Sequence, residues 1–205
     1  MTTPDTLPAL LDATAARVPR DPAIAAADRP PLSYAALAAA TRRIAEGLSR
    51  HGIGPGDRVA IWLPNRPEFL VLLFALARLG ATAILLNTRW RAEETARVLD
   101  RARASAIATT WGFDAAGFPA MLEALLPEAR APLRFVIGLD ADGHHRLGGL
   151  PVVPWTTLDR APERAPRHDP PPGAPTPTPR PAPADDAAPD GIARTDATSG
   201  TTAGP

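Results

Sequence analysis

Apolar residues over the first 160 positions follow two spacings, one typical of amphipathic helices and one typical of short buried strands. Helical spacing predicts five helices, at positions 7–17, 34–50, 65–79, 91–103 and 115–126. Short apolar runs predict four strands, at positions 58–63, 81–86, 105–110 and 133–139. Because strands alternate with helices, the pattern predicts an α/β fold with a largely parallel sheet and flanking helices.

Polar residues at the ends of these segments supply start and stop signals. Ser33 is the expected N-cap of the second helix, and Gly52 follows that helix as a stop. Asn65 is the expected N-cap of the third helix, with Glu68 reaching back as in a capping box. Glu93 lies four residues before Arg97, a favourable spacing for an ion pair on one helix face.

Proline changes the picture after about residue 161. Half of the residues from Pro166 to Pro183 are proline. Such a segment neither pairs in a sheet nor continues a helix, so it predicts an extended linker. A docking site for a proline-recognising partner is the alternative. The expected organisation is an α/β subdomain at 1–160, a Pro-rich linker at 161–190, and a strand with a loop at 191–205.

Composition narrows the function classes. The formal net charge is zero, so the sequence does not indicate a nucleic-acid or anionic-membrane binder. Cysteine is absent, which excludes disulfides and thiolate nucleophiles, and all 22 basic residues are arginine. We detect no signal peptide and no apolar stretch of the ~20 residues that a transmembrane helix needs. A cytoplasmic protein is expected.

Few other residues suggest chemistry. The pair His144-His145 has no obvious further ligands, and the pair Asp185-Asp186 lies in the predicted linker, so no metal site is predicted. His51, near a helix end, is expected to be a surface residue that suits the helix dipole. Trp62 and Trp90 are expected to pack in the core. No catalytic residue is assigned within the chain.

The last eight residues form the candidate phosphate-binding segment, Thr198-Ser199-Gly200-Thr201-Thr202-Ala203-Gly204-Pro205. Small hydroxylated residues and glycine let backbone N–H groups and hydroxyls surround a polyphosphate. The Gly-x₄-Gly-Lys-Ser/Thr loop and the Gly-x-Gly-x-x-Gly fingerprint are both absent. By composition alone, this segment is also typical of a disordered chain end.

The order of these residues resembles the signature of the adenylate-forming superfamily, which includes acyl-CoA synthetases, luciferases and peptide-synthetase adenylation domains. That signature reads Ser/Thr-Ser-Gly-Thr-Thr-Gly-x-Pro-Lys; Ala203 stands where glycine is usual, and the lysine would follow Pro205. Upstream segments also resemble the family, in the same order along the chain. They are residues 32–37, 54–61, 63–69 and 79–94.

The resemblance implies the N-terminal part of an adenylate-forming large domain, truncated, from an ATP-dependent acid–CoA ligase. Such a ligase joins a carboxylic acid to AMP, releases pyrophosphate, and passes the acyl group to coenzyme A, with Mg²⁺ accompanying ATP. The implied contacts to the ATP phosphates are Thr198, Ser199, Gly200, Thr201 and Thr202. The catalytic lysine of the family would lie further along, so the 205-residue chain is expected to be an inactive fragment.

Three alternatives stay open at this point. The chain could be a non-catalytic binding or assembly module, or the product of a pseudogene. The acyl acceptor could be a carrier-protein thiol, as in peptide-synthetase adenylation domains, rather than coenzyme A. The acid, whether from fatty-acid metabolism or elsewhere, is not specified by these residues.

Overall fold

The computed structural model describes residues 6–26, 29–112, 117–127 and 129–160. These ranges contain six helices: α1 (Leu7–Arg17), α2 (Tyr34–Arg50), α3 (Pro67–Arg78), α4 (Ala92–Ala102), α5 (Phe118–Leu125) and α6 (Trp155–Leu158). They also contain eight strands: β1 (Pro22–Ala26), β2 (Arg29–Ser33), β3 (Arg58–Ile61), β4 (Thr82–Leu85), β5 (Ala106–Thr110), β6 (Phe135–Leu139), β7 (Arg146–Leu147) and β8 (Leu150–Pro154).

Six of the strands form one sheet in the order β4-β3-β5-β6-β8-β7. The first five are parallel to one another, and only β7 pairs antiparallel, with β8. Strands β1 and β2 form a separate antiparallel hairpin. The predicted α/β class with a largely parallel sheet and flanking helices is therefore confirmed.

Helices cover both faces of the sheet. Since successive side chains of a strand point to opposite faces, β3 contributes to an apolar cluster on each side. Val59 and Ile61 of β3 join one apolar cluster, which includes residues of α1, α2, α3 and α6. Ala60 and Trp62 join a second cluster on the opposite face, with residues of α4 and α5. Burial on both faces explains why β5 and β6 are continuous apolar runs rather than alternating ones.

The helix ends follow local rules with one exception. Ser33 caps α2 by accepting a hydrogen bond from the Ala36 amide at 3.3 Å, and Gly52 has a φ of +77° where that helix stops. The capping box predicted at Asn65 and Glu68 is wrong. Helix α3 begins at Pro67 with Arg66 as its N-cap residue, and the Glu68 carboxylate is engaged by arginines instead.

Several elements were absent from the prediction: the β1–β2 hairpin, β7, β8 and α6. The strand predicted at 191–196 and the Pro-rich segment lie outside the described residues. Within the described ranges, no helix has the length and apolar character required to cross a bilayer.

Candidate functional site

The direction in which successive strands are added to the sheet reverses between β3 and β5. From β3 the chain passes through α3 to β4 on one side, whereas from β5 it passes through α5 to β6 on the other. Helices α3 and α5 pack on opposite faces, so a crevice opens between the carboxyl ends of these two adjacent strands. Ligands of open α/β sheets bind at such switch points, which makes this edge the candidate functional site.

Three adjoining cavities lie along this edge of the sheet, and Asn65 contributes to the lining of all three. An apolar cavity of about 520 Å³ lies beside the hairpin, against Ile24, Phe69 and Leu70. A polar cavity of about 450 Å³ lies toward β5 and β6, against Arg29, Arg66, Gly112 and Asp140. A third, of about 520 Å³, lies toward the end of β4, against Leu85, Asn87 and Thr88.

Arg66 connects the segments around the polar cavity. Its Nη1 donates to Asp140 Oδ2 at 2.7 Å and to Thr110 Oγ1 at 3.0 Å. Its Nε donates to Glu68 Oε2 at 3.0 Å, and Arg29 Nη1 donates to Glu68 Oε1 at 3.1 Å. These hydrogen bonds tie the β3–α3 loop to the hairpin and to the ends of β5 and β6.

The positive charge of Arg66 stabilises the ionised carboxylates of Glu68 and Asp140. The hydrogen bond from Arg66 holds the pKa of Asp140 below its ordinary value. Burial acts to raise the pKa of Glu68, but the hydrogen bond and charge of Arg66 outweigh it and the pKa is lowered. Both carboxylates are therefore ionised and engaged at neutral pH, so the cluster is suited to fixing loops rather than to proton transfer.

None of the predicted phosphate contacts belongs to the described residues. These contacts are Thr198, Ser199, Gly200, Thr201 and Thr202. Trp62 is fully buried as predicted, and its Nε1 donates to the Asn87 carbonyl at 3.2 Å. His144 stacks on Trp111 with ring centroids 5.1 Å apart, and no grouping of three potential metal ligands occurs in the described part of the chain.

The sequence did not single out the residues that surround the polar cavity, although a usable signal was present. Thr110 ends β5, Asp140 directly follows β6, and Arg66 lies in the loop after β3. The carboxyl ends of parallel strands meet at one edge, so these polar residues could be expected at that edge, but only the strand order brings them into contact.

Comparison with known proteins gives a consistent result. The sequence pattern of the family described as AMP-binding enzyme matches residues 11–205. A Mycobacterium tuberculosis 3-[(3aS,4S,7aS)-7a-methyl-1,5-dioxo-octahydro-1H-inden-4-yl]propanoyl:CoA ligase is 37% identical over 136 residues, which is 66% of this chain and 27% of the ligase. The crotonobetaine/carnitine–CoA ligase of Salmonella arizonae is 36% identical over 51% of this chain and 19% of the ligase.

A solved structure agrees with these relatives. The N-terminal domain of FACL13 from Mycobacterium tuberculosis superimposes with a TM-score of 0.59 and 30% identity, over 66% of this chain and 34% of that one. The chain thus spans about a quarter or less of the length of the two curated relatives that it matches.

Proposed function

The chain belongs to the family of AMP-binding enzymes, and on that premise we propose that it supplies the N-terminal α/β part of an ATP-dependent acid–CoA ligase. In the first step, a carboxylate oxygen attacks the α-phosphorus of ATP, and pyrophosphate leaves. In the second step, the thiol of coenzyme A attacks the acyl carbonyl and AMP leaves. The observation that carries the proposal is a family match that continues through residues 198–202.

We assign the contacts to the ATP phosphates to Thr198, Ser199, Gly200, Thr201 and Thr202. Their support is the family pattern and the chemistry of a loop that offers hydroxyls and unobstructed backbone N–H groups. Residues 161–190 would then serve as the linker that joins this loop to the α/β subdomain, and a cytoplasmic location suits the use of ATP and coenzyme A.

Magnesium belongs to this proposal only as the ion that accompanies ATP. In the part of the chain that the structure describes, Asp140 and Glu68 direct oxygens toward Arg66, and no set of three potential ligands is present. These residues therefore do not fit a magnesium centre, and no step is assigned to the metal.

In this reaction, the described residues would have a structural role. The crevice at the carboxyl ends of β3 and β5 adjoins cavities of about 520 and 450 Å³, and its loops are fixed by Arg66. Preorganised loops lower the entropic cost of placing reactants. The proposed role is to fix the loops at this edge of the sheet.

A chimaera tests this function. The crotonobetaine/carnitine–CoA ligase relative would carry residues 11–205 of this chain in place of its own aligned N-terminal segment. We expect ATP-dependent acyl-CoA formation, and we expect Thr201→Val to reduce it by about 100-fold, because a phosphate donor is lost. Thr195→Val, just outside the loop, is the matched control. A folded chimaera that makes no acyl-adenylate contradicts the proposal.

The 205-residue polypeptide itself should be inactive. Its alignments cover 27% and 19% of two CoA ligases, and catalysis of both steps needs groups that orient acid, ATP and thiol together. The measurement is pyrophosphate release by the purified chain with ATP, Mg²⁺, coenzyme A and a panel of carboxylic acids. Turnover above the protein-free blank would overturn this expectation.

A further inference from the structure

Asp140 has an unusual backbone conformation directly at the candidate site. Its φ is +53°, in the left-handed region, and Arg103 is the only other non-glycine residue with a positive φ among the described residues. Aspartate tolerates this region better than most residues do, but glycine would occupy it without strain. Backbone strain of this kind persists where the surrounding contacts hold the residue in place.

The Asp140 carboxylate lies in a space that three other residues shape. A Cβ added at Gly112 would lie 2.6 Å from Asp140 Oδ2, so a side chain at that position would displace the carboxylate from where it lies now. Thr110, whose side chain is buried, donates its hydroxyl to Asp140 Oδ2 at 3.0 Å and accepts the Gly112 amide at 3.2 Å. Arg66 completes the set from the other side at 2.7 Å.

These groups form an oxyanion seat. A guanidinium and a hydroxyl both direct hydrogens at one oxygen, which is the arrangement that binds carboxylate and phosphate oxygens strongly. Asp140 reaches the seat from the rim, because its side chain is 48% exposed whereas that of Arg66 is 17% exposed. The carboxylate can therefore leave into water while the guanidinium remains in place.

The seat opens toward the polar cavity. Arg66, Gly112 and Asp140 all line the cavity of about 450 Å³, so a ligand in that cavity can approach the seat directly. With Asp140 removed, the Arg66 guanidinium keeps its hydrogen bond to Glu68 through Nε, whereas Nη1 loses its carboxylate partner. A guanidinium N–H that has lost its carboxylate favours an anion.

We propose that Asp140 is an internal occupant of an oxyanion-binding site, and that a carboxylate or phosphate oxygen of a ligand exchanges with it at Arg66 and Thr110. The exchange involves hydrogen bonds alone. While seated, Asp140 also acts as a positioning residue, because it joins the exit of β5 to the β3–α3 loop. This site is independent of the proposed role of residues 198–202.

Chemical rescue tests the proposal on the 205-residue chain. Asp140→Gly removes the carboxylate and relieves the backbone strain. The side-chain group that is lost corresponds in composition to acetate. We expect its thermal midpoint to fall by several degrees because a charge-assisted contact is lost. Sodium acetate at pH 7 should restore about half of that loss or more, relative to sodium chloride at equal ionic strength. Sodium phosphate in a parallel series distinguishes the two oxyanion classes.

Arg103→Gly is the matched control, since it relieves the same backbone conformation at the exposed end of α4. We expect it to raise the midpoint slightly and to show no specific acetate effect. The double variant Gly112→Ala/Asp140→Gly should not be rescued, because the added Cβ fills the seat. If Asp140→Gly folds only in acetate or phosphate, the site is supported.

Three results would overturn the proposal. The first is equal stability of Asp140→Gly and Arg103→Gly. The second is stabilisation of Asp140→Gly by acetate and phosphate that is no larger than that of the wild-type chain. The third is an Asp140→Gly variant that stays unfolded in every salt. Saturable rescue by one anion and not the other would assign the ligand class to that anion.

Discussion

Gly47 lies where helix α2 approaches helix α6 most closely. A Cβ at this position would lie 2.4 Å from the Leu158 carbonyl oxygen and 2.8 Å from its Cα. Both atoms belong to the backbone, so a change of rotamer cannot relieve the overlap. The absence of a side chain at residue 47 is therefore what allows the last described helix to pack on the core.

We expect Gly47→Ala to lower the free energy of unfolding by about 3 kcal/mol, near the upper end for overpacked sites. Urea denaturation followed by circular dichroism measures the loss. Gly54→Ala is the matched control, because a Cβ there meets nothing within 4 Å, and it should change stability by about 0.5 kcal/mol or less. Equal effects of the two substitutions would contradict the close approach.

At the scale of elements, one carboxylate attaches helix α1 to the rest of the subdomain. Asp12 accepts hydrogen bonds from Arg78 of α3 at 2.6 and 2.9 Å, and from Arg42 of α2 at 2.7 Å. The hydrogen bond from Arg78 is the main cause of the lowered pKa of Asp12. Because Leu11 is the only residue of α1 that is fully buried, this ionic contact is a large part of the attachment.

Asp12→Asn should therefore loosen α1 preferentially. We expect a loss of about 1 kcal/mol, since the pair is partly exposed to solvent, and faster amide hydrogen exchange in residues 7–17. Glu93→Gln is the control, because its pair with Arg97 spans 3.9 Å between side chains that are both 81% exposed. Uniformly faster exchange across the sheet, without a larger effect in α1, would contradict the expected local role.

The helices and the central strands could be predicted from the sequence because their signals are local. The predicted bounds of α1 and α2 are those observed, since apolar spacing and the Ser33 cap act within one segment. The sequence-based prediction missed the hairpin and β8 because Pro22, Pro30 and Pro151 lie within these strands and weaken the strand pattern. Proline demotes a segment as a strand candidate.

The candidate site could be predicted less well because it depends on tertiary contacts. Arg66 lies 44 residues from Thr110 and 74 residues from Asp140 along the chain. Only the strand order brings these residues together, and the sequence pattern leaves that order open. At Glu68, tertiary contacts override a local signal. The local spacing predicted a capping role, but the carboxylate accepts hydrogen bonds from two arginines instead.

At the scale of the whole molecule, acid sensitivity follows from four carboxylates among the described residues whose pKa values are lowered. The pKa values of Asp12, Asp57, Glu68 and Asp140 all lie below the ordinary values of 3.8 for aspartate and 4.5 for glutamate. A lowered native pKa stabilises the fold above the unfolded-state pKa, and that stabilisation is lost as pH falls through the native value. Stability should thus be nearly constant from pH 7 to about pH 5 and decline below about pH 4.

Thermal unfolding at pH 7, 5, 4 and 3 in a constant ionic strength measures this dependence. We expect the steepest loss between the two lowest values, and a shallower decline for Asp12→Asn, which removes one of the titrating groups. A midpoint that is the same at pH 5 and pH 3 would contradict the assignment of these carboxylates.

The position of β3 between β4 and β5 has a consequence for synthesis. Strand β4 leaves the ribosome soon after β3, but β5 begins 48 residues after β3 begins. At typical elongation rates that interval lasts roughly 2–10 s. Throughout it, one edge of β3 is without its neighbour, and the face that carries Trp62 lacks helix α5, which supplies Phe118. The nascent chain therefore presents an unpaired strand edge beside a large aromatic surface, the kind of segment that chaperones retain until translation supplies the missing strand.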